Sequence, residues 1–322
     1  MQMSRKLIID CDTGVDDSIA ILFALNRKDV EVIGISSASG NTDAYQAADN
    51  TLRILKLAGR EGEIPVCIGA TEPLRGPKRP YPVLIHGENG LGNVELPKSS
   101  QQPVDMDVRD FLYKLASENE GNITLVTLGE ATNIALTLEK YPDFSKKIKN
   151  VVSMGGSIFG SVGNVGPAVE ANIKGDPEAF DEMIMADWDV TMVGLDVTTA
   201  VHLKKVDVDL ALGYCRKDCR KQLEYISEAL VHYMNGARIQ NWMRGESPLH
   251  DPLAMIVAID PSVVKTQKRI TRIECEGTYT RGQVITDQRE YPIDGKYVTH
   301  CIEVNEEKAL NVLFAAFQES LR

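Results

Sequence analysis

The sequence predicts an α/β fold, an open and mostly parallel sheet flanked by helices, with a Rossmann-like core and a helical, short-strand C-terminal elaboration. Three observations predict it. Apolar runs recur through roughly the first 200 residues as "KLIID", "VEVIGIS", "ITLVTLG", "NVVSMGG" and "DVTMVGLD". Each lies beside a helix-like segment, the rhythm of parallel strands joined by crossover helices. The strand-like runs end in "DCD", "SGN", "TLG" and "MGGS", and in open sheets of this kind the carboxyl ends of the strands form the crevice where ligands bind.

Taken in order, "KLIID" predicts the first strand and "DDSIAILFAL" the first helix, with Gly14 making the sharp turn between them. From Asp43 to Ala58 the residues Ala44, Ala48, Thr51, Leu55 and Ala58 share one helical stripe. Thr132 to Tyr141 and Asp176 to Ala186 also read as helices covering the sheet. The stretches 69–97 and 155–176 are rich in Gly, Pro and Asn and read as functional loops, because structureless connections this long are uncommon. Beyond residue 200 the pattern becomes a long helix from about Arg216 to Arg244, strand-like pieces around Arg272 to Thr286, and a helix from Glu306 to Leu321. No repeat or linker divides the chain, so residues 1–322 read as one domain.

With 322 residues and 43% hydrophobic content the chain can bury a large core. Its formal net charge of -11 argues against nucleic acid or an anionic membrane as partner and leaves a small molecule or a metal ion. The start "MQMSRKLIIDCD" has too short an apolar run for a secretory signal, and no later run reaches membrane-spanning length, so the expected location is cytoplasmic. The six scattered cysteines read as thiols without a disulfide framework.

Residues 10–17 place four carboxylates, Asp10, Asp12, Asp16 and Asp17, where a buried strand ends and a helix starts. Two carboxylates about 4 Å apart repel by roughly 4 kcal/mol at an effective dielectric near 20. Folding alone gives no reason to gather them. Helix N-capping accounts for Asp16 or Asp17 only, whereas a hard divalent cation, which prefers oxygen ligands, accounts for the rest. The spacing is not that of an EF-hand, since Val15 and Ile21 stand where that loop needs Gly and Glu. Such a site has to be assembled from distant segments. "DCDT" also fits the start of a haloacid-dehalogenase-like phosphatase, with Asp10 as phosphoryl acceptor and Asp12 as acid, but "VDDSIAILFAL" leaves no room for the flap such enzymes insert there.

The ordered set "DCDTGVDDSIA", "SGN", "HGENGLG", "GEATNIAL", "SMGGS", "GNVGPAVEANIKGDPEA" and "HDPLAM" resembles the nucleoside hydrolases, the inosine-uridine preferring N-ribohydrolases, over most of the chain. The resemblance implies a homodimer or homotetramer that uses tightly bound Ca²⁺ and water to cleave the N-glycosidic bond of ribonucleosides. It implies that Asp12, Asp17, Asp251 and the backbone carbonyl of Leu128 hold the calcium, which also contacts the ribose hydroxyls and the attacking water. Asp12 would be the general base and His250 the acid for the departing base. Neighbouring carboxylates are expected to favour the charged form of His250. Asp16 and Asn41 would bind ribose and orient Asp12, Asp10 would support the ligands, and Asn164, Glu170 and Asn172 would grip the remaining hydroxyls. Met154 would pack beneath the sugar, and His86 would lie on a loop closing over the base. Tyr233, Arg238 and Trp242 are candidates for the nucleobase. Thr13 stands where many relatives have Pro, which changes the turn and removes no ligand. The same grips would also suit a nucleoside-binding protein without catalysis.

Overall fold

The computed structural model describes residues 4–159, 163–240 and 243–318. All five apolar runs are strands: β1 (Arg5–Cys11), β2 (Val30–Ser37), β4 (Ile123–Thr127), β5 (Asn150–Met154) and β6 (Val190–Val193), with a short β3 (Val66–Ile68) inserted before the first long loop. A two-residue ladder joins β7 (His202–Leu203) to β8 (Ser247–Pro248). The chain then adds β9 (Val264–Ile273), β10 (Val284–Asp287) and β11 (Lys296–Val304). The main sheet runs β10-β9-β11-β6-β5-β4-β1-β2-β3. From β3 to β6 every pairing is parallel, and β11 joins β6 in parallel while β9 pairs antiparallel with β11 and β10. The strand order reverses between β1 and β4. A doubly wound sheet opens its crevice at that switch point, beyond the carboxyl ends.

The C-terminal strands are longer than the expected short pieces. β9 spans ten residues and β11 nine, and together they widen the central sheet. The first half of β9 is largely exposed, with Lys265 and Lys268 facing solvent, so no apolar run marked it. The long helix spans Arg220–Gln240 rather than 216–244: a 3₁₀ turn, Lys217–Cys219, precedes it, and Arg244 lies beyond it in a bend. The last helix is Glu306–Ala315, and residues 319–322 lie outside the described residues.

Helix ends follow local chemistry. Asp43 caps the helix Ala44–Leu57 by accepting from the backbone N–H groups of Tyr45 and Gln46 at 3.0 and 2.9 Å. Asp176 caps Pro177–Met185 in the same way through Ala179, with Pro at the first turn where its missing N–H costs nothing. The helix at 132 runs Thr132–Lys140.

Two apolar cores cover the two faces of the sheet. Along β1, Leu7, Ile9 and Cys11 belong to one and Ile8 to the other, as strand alternation requires. The helix Asp251–Ile259 is buried along its whole length and packs against Val15–Leu25, so the first turns of two buried helices meet beside the end of β1. In the other core Phe144 is fully buried and meets Trp188 edge-on with ring centroids 5.7 Å apart. Phe144→Ala is expected to lower stability by about 3–5 kcal/mol through transfer and cavity terms, read as a drop in the urea midpoint with the unfolding slope unchanged.

Candidate active site

β1 ends at Cys11, and the chain turns through Asp12, Thr13 and Gly14 into the helix Val15–Leu25. Gly14 has an ordinary extended backbone (φ -98°), so the turn itself does not require glycine. Close approach does: a Cβ there would lie 2.4 Å from His86 Nδ1 and 2.7 Å from Asn41 Nδ2. Asp12 is fully buried. Its Oδ2 accepts from the Asn41 backbone N–H at 2.7 Å and its Oδ1 from Asn41 Nδ2 at 3.2 Å. Asn41 Nδ2 also donates to Asp17 Oδ2 at 3.0 Å, which tethers two carboxylates through one amide. A Cβ on Gly40 would lie 2.0 Å from Asp12 Oδ2. Gly40→Ala therefore has to displace the carboxylate, and it is expected to cut turnover about a hundredfold, as small misplacements of reacting groups do, with the thermal midpoint changing far less than the rate.

Asp16, Asp17 and Asp251 bring carboxylate oxygens within 4.8 Å of one another, all buried. Asp16 thus stands in the oxygen cluster that the resemblance built from Asp12, Asp17 and Asp251. Asp16 Oδ2 accepts from Tyr233 Oη at 2.8 Å, while Asp16 Oδ1 and Asp17 Oδ1 are buried without a partner. The Leu128 carbonyl accepts from Asn172 Nδ2 at 2.7 Å, and the same amide reaches Met154 O and Sδ at 3.3 Å. Burial and mutual repulsion hold these acids up. Asp17 is raised to about 7 by burial and then by Asp16; Asp12 and Asp251 are raised well above the ordinary range, chiefly by burial and then by neighbouring carboxylates.

One cavity is lined by Asp16, Asn41, His86, Leu128, Met154, Asn164, Glu170, Asn172, His250 and Asp251, with Asp12 and Asp17 buried behind Asn41. The residues picked from seven segments of the sequence meet there. Glu170 accepts from the backbone N–H groups of Asn172 (2.9 Å), Gly156 and Ile173 (3.2 Å each), and Asn164 Oδ1 holds the Ala171 N–H at 3.0 Å. Asp10 is not among the lining residues: Ser36 Oγ and Asn133 Nδ2 hold it, and burial raises it to about 6. That removes the acceptor the phosphatase reading needs. Of the base candidates, Tyr233 lines the cavity, Arg238 is exposed away from it, and Trp242 lies outside the described residues.

The charge of His250 departs from expectation. His250 Nδ1 pairs with Thr198 Oγ1 at 2.8 Å and its Nε2 is buried without a partner. Burial outweighs the pull of Asp16 and lowers His250 to about 4, so the neighbouring carboxylates do not charge it. His86 Nδ1 accepts from the Val15 N–H at 3.2 Å, which places the ring proton on Nε2. Burial, and then Arg79, lower His86 to about 3. Its 3.8 Å approach to Asp16 is therefore not an ion pair. Arg79, Pro82 and Ile85, from the loop before His86, also line the cavity. Only that loop's Gly- and Pro-rich character signalled them.

The sequence model of the family described as inosine-uridine preferring nucleoside hydrolase matches residues 7–311. The chain belongs to this family. It is 36% identical over 284 residues to uridine nucleosidase 1 of Arabidopsis thaliana, covering 88% of this chain and 82% of that protein. It is 31% identical over 313 residues to the pyrimidine-specific ribonucleoside hydrolase RihA of Klebsiella pneumoniae, covering 97% of each. Among solved structures, a plant nucleoside hydrolase superposes with a TM-score of 0.90 at 33% identity over 97% of this chain and 98% of its own. As a member of the nucleoside hydrolase family this chain is a hydrolase of N-glycosyl compounds, and the mostly parallel sheet flanked by helices is that family's fold. Among the described residues no helix is long and apolar enough to cross a membrane.

Proposed function

We propose that this chain, as one nucleoside hydrolase domain, cleaves ribonucleosides to ribose and free base in cytoplasmic nucleoside salvage, with Ca²⁺ held by Asp12, Asp17, Asp251 and the Leu128 carbonyl. The observation that carries this is a single cavity whose wall combines crowded buried carboxylates with hydroxyl-gripping amides and acids. The residues fit a hard cation. Their donors are all oxygens, and Asp16 Oδ1 and Asp17 Oδ1 are buried without any partner, a cost of several kcal/mol per isolated charge that a cation offsets.

When bound, Ca²⁺ supplies the positive charge that orients ribose hydroxyls and makes water more acidic. Asp12, clamped by Asn41, takes the proton of the attacking water. Glu170 uses three backbone N–H groups to fix its carboxylate, and an ionised carboxylate has about four acceptor positions, so one remains for a ribose hydroxyl. Asp16, Asn164 and Asn172 bind the other hydroxyls, and Met154 packs beneath the ring. These grips hold the sugar in a shape close to the oxocarbenium-like transition state. His250 turns its partnerless Nε2 to the departing base, and His86 closes the side of the site.

Relatives are named for uridine and for pyrimidine nucleosides, and a structural neighbour from Gardnerella vaginalis (TM-score 0.87, 32% identical) for purine ones. The test is therefore reducing-sugar release from inosine, adenosine, guanosine, uridine and cytidine, with calcium present or stripped. Ribose release that needs the metal is expected; binding without release from any of the five would sink the reading. The family resemblance brings with it a homodimer or homotetramer, which sedimentation measures.

A further inference from the structure

We propose that Arg79 binds an exocyclic carbonyl oxygen of the nucleobase and stabilises the negative charge that gathers there as the glycosidic bond breaks. This rests on the hydrolase reading above and adds how the leaving group is recognised. In the reaction the C1′–N bond breaks with its electron pair moving onto the base, the water oxygen bonds to C1′, one water proton passes to Asp12, and the base finally gains a proton from His250 or solvent, balanced by the one Asp12 gives up to solvent. Charge therefore peaks on the base in the transition state, and a fixed cation beside it lowers the barrier selectively.

Arg79 is built to be fixed. Its Nε donates to Glu130 Oε1 at 3.0 Å, with the two side chains only 16% and 6% exposed. Glu130 in turn sits where a Cβ on Gly175 would be, 1.9 Å from Oε1, so the absent side chain of residue 175 makes the space for this pair. Glu130 occupies one edge of the guanidinium, and Nη2 is buried with no partner. A buried N–H left unmade is costly, and Arg79 lines the cavity. In the proposal this atom donates to an acceptor that a ligand brings.

The chemistry of the surroundings selects the acceptor. Among the described residues that line the cavity, Arg79 is the only Lys or Arg, and it shares the wall with Asp16, Glu170 and Asp251. A phosphate dianion would meet these carboxylates, whereas a neutral carbonyl that turns partly negative only during the reaction would not. Of the other polar groups on the wall, Tyr233 Oη donates to Asp16 and His86 Nδ1 accepts from Val15, while the partnerless Nε2 of His250 is left for a ring nitrogen of the base. Pro82 and Ile85, from the same segment as Arg79, add an apolar wall suited to a flat ring. Arg79 thus supplies a cationic donor beside the apolar side chains of Pro82 and Ile85.

The experiment measures kcat/KM of the wild type, Arg79→Met and Arg79→Lys on inosine against purine riboside, on uridine against 2-thiouridine and 4-thiouridine, and on the 5′-monophosphates. Thermal midpoints are measured alongside. The expected result is that Arg79→Met loses about 10- to 100-fold more on a carbonyl-bearing nucleoside than on its analogue lacking that oxygen, the range for a charged hydrogen bond. Arg79→Lys, which keeps the charge without the fork, should fall between, and it decides the matter if Arg79→Met does not fold. Equal losses on each pair would overturn the proposal in favour of a purely structural loop contact. A loss confined to the 5′-monophosphates would overturn it in favour of a phosphate site. A wild type that releases ribose from none of these substrates would instead bring down the hydrolase reading on which it rests.

Discussion

Replacing Asp12 by alanine is expected to abolish ribose release, by about a thousandfold or more, while the chain stays folded. The rate effect has two sources. General-base removal alone costs about 10²–10⁴, and under the proposed function the same carboxylate is also a calcium ligand. The fold survives because Asp12 is one of several crowded carboxylates, and burial and then Asp17 already raise its pKa. Removing it relieves repulsion and leaves Asn41 still bonded to Asp17. Asp12→Asn is the less clean variant: both Asp12 oxygens accept from Asn41, so an amide would set a donor against a donor. Ribose release is read beside circular dichroism and the thermal midpoint. A variant within tenfold of the wild-type rate would refute the assignment of the base.

Where side chains act within one segment, the sequence could be read directly. The five buried parallel strands showed as apolar runs, and the Asp16–Asp17 helix start and the Asp43 cap showed as acids at the head of helical patterns. β3 is three residues long and half of β9 is solvent-exposed, so neither leaves a periodic trace. The resemblance supplied site residues from the ends of β1, β2, β4 and β5 and from three other segments, and the structure gathers them around one cavity. It could not supply the contacts between segments: Tyr233 reaches Asp16 across 217 positions and Arg79 reaches Glu130 across 51. Nor could it supply burial. His250 beside carboxylates reads as a charged histidine until its enclosure is known; enclosure then wins and lowers its pKa to about 4. Gly14 likewise reads as a turn residue, and only the positions of His86 and Asn41 show that space is the reason for it.

Stripping calcium is expected to remove activity and, more tellingly, to lower the thermal midpoint by an amount that grows with pH. In the stripped protein Asp17 titrates at about 7, and Asp12 and Asp251 lie well above the ordinary carboxylate range. Their folded pKa values exceed the unfolded ones near 4, so between about pH 4 and 7 the stripped folded state holds more protons than the unfolded chain. Its cluster contributes stability at low pH that is lost as pH rises through those folded values. The cation needs the carboxylates ionised, so binding expels these protons and its affinity climbs over the same window. The gap between loaded and stripped midpoints should be near zero at pH 5 and large at pH 8, where calcium at about 1,000 times its dissociation constant adds about 4 kcal/mol. Buried His250 and His86, lowered to about 4 and 3, shift stability with the opposite sign, losing it as pH falls below about 6.5. They are present in both forms, so the difference between melts isolates the acidic cluster. Titration calorimetry in two buffers of different ionisation enthalpy counts the protons released. Net proton release on calcium binding near pH 7, at least the half proton that Asp17 holds there, is the expected result; a midpoint gap independent of pH would show that the ion binds away from Asp12, Asp17 and Asp251.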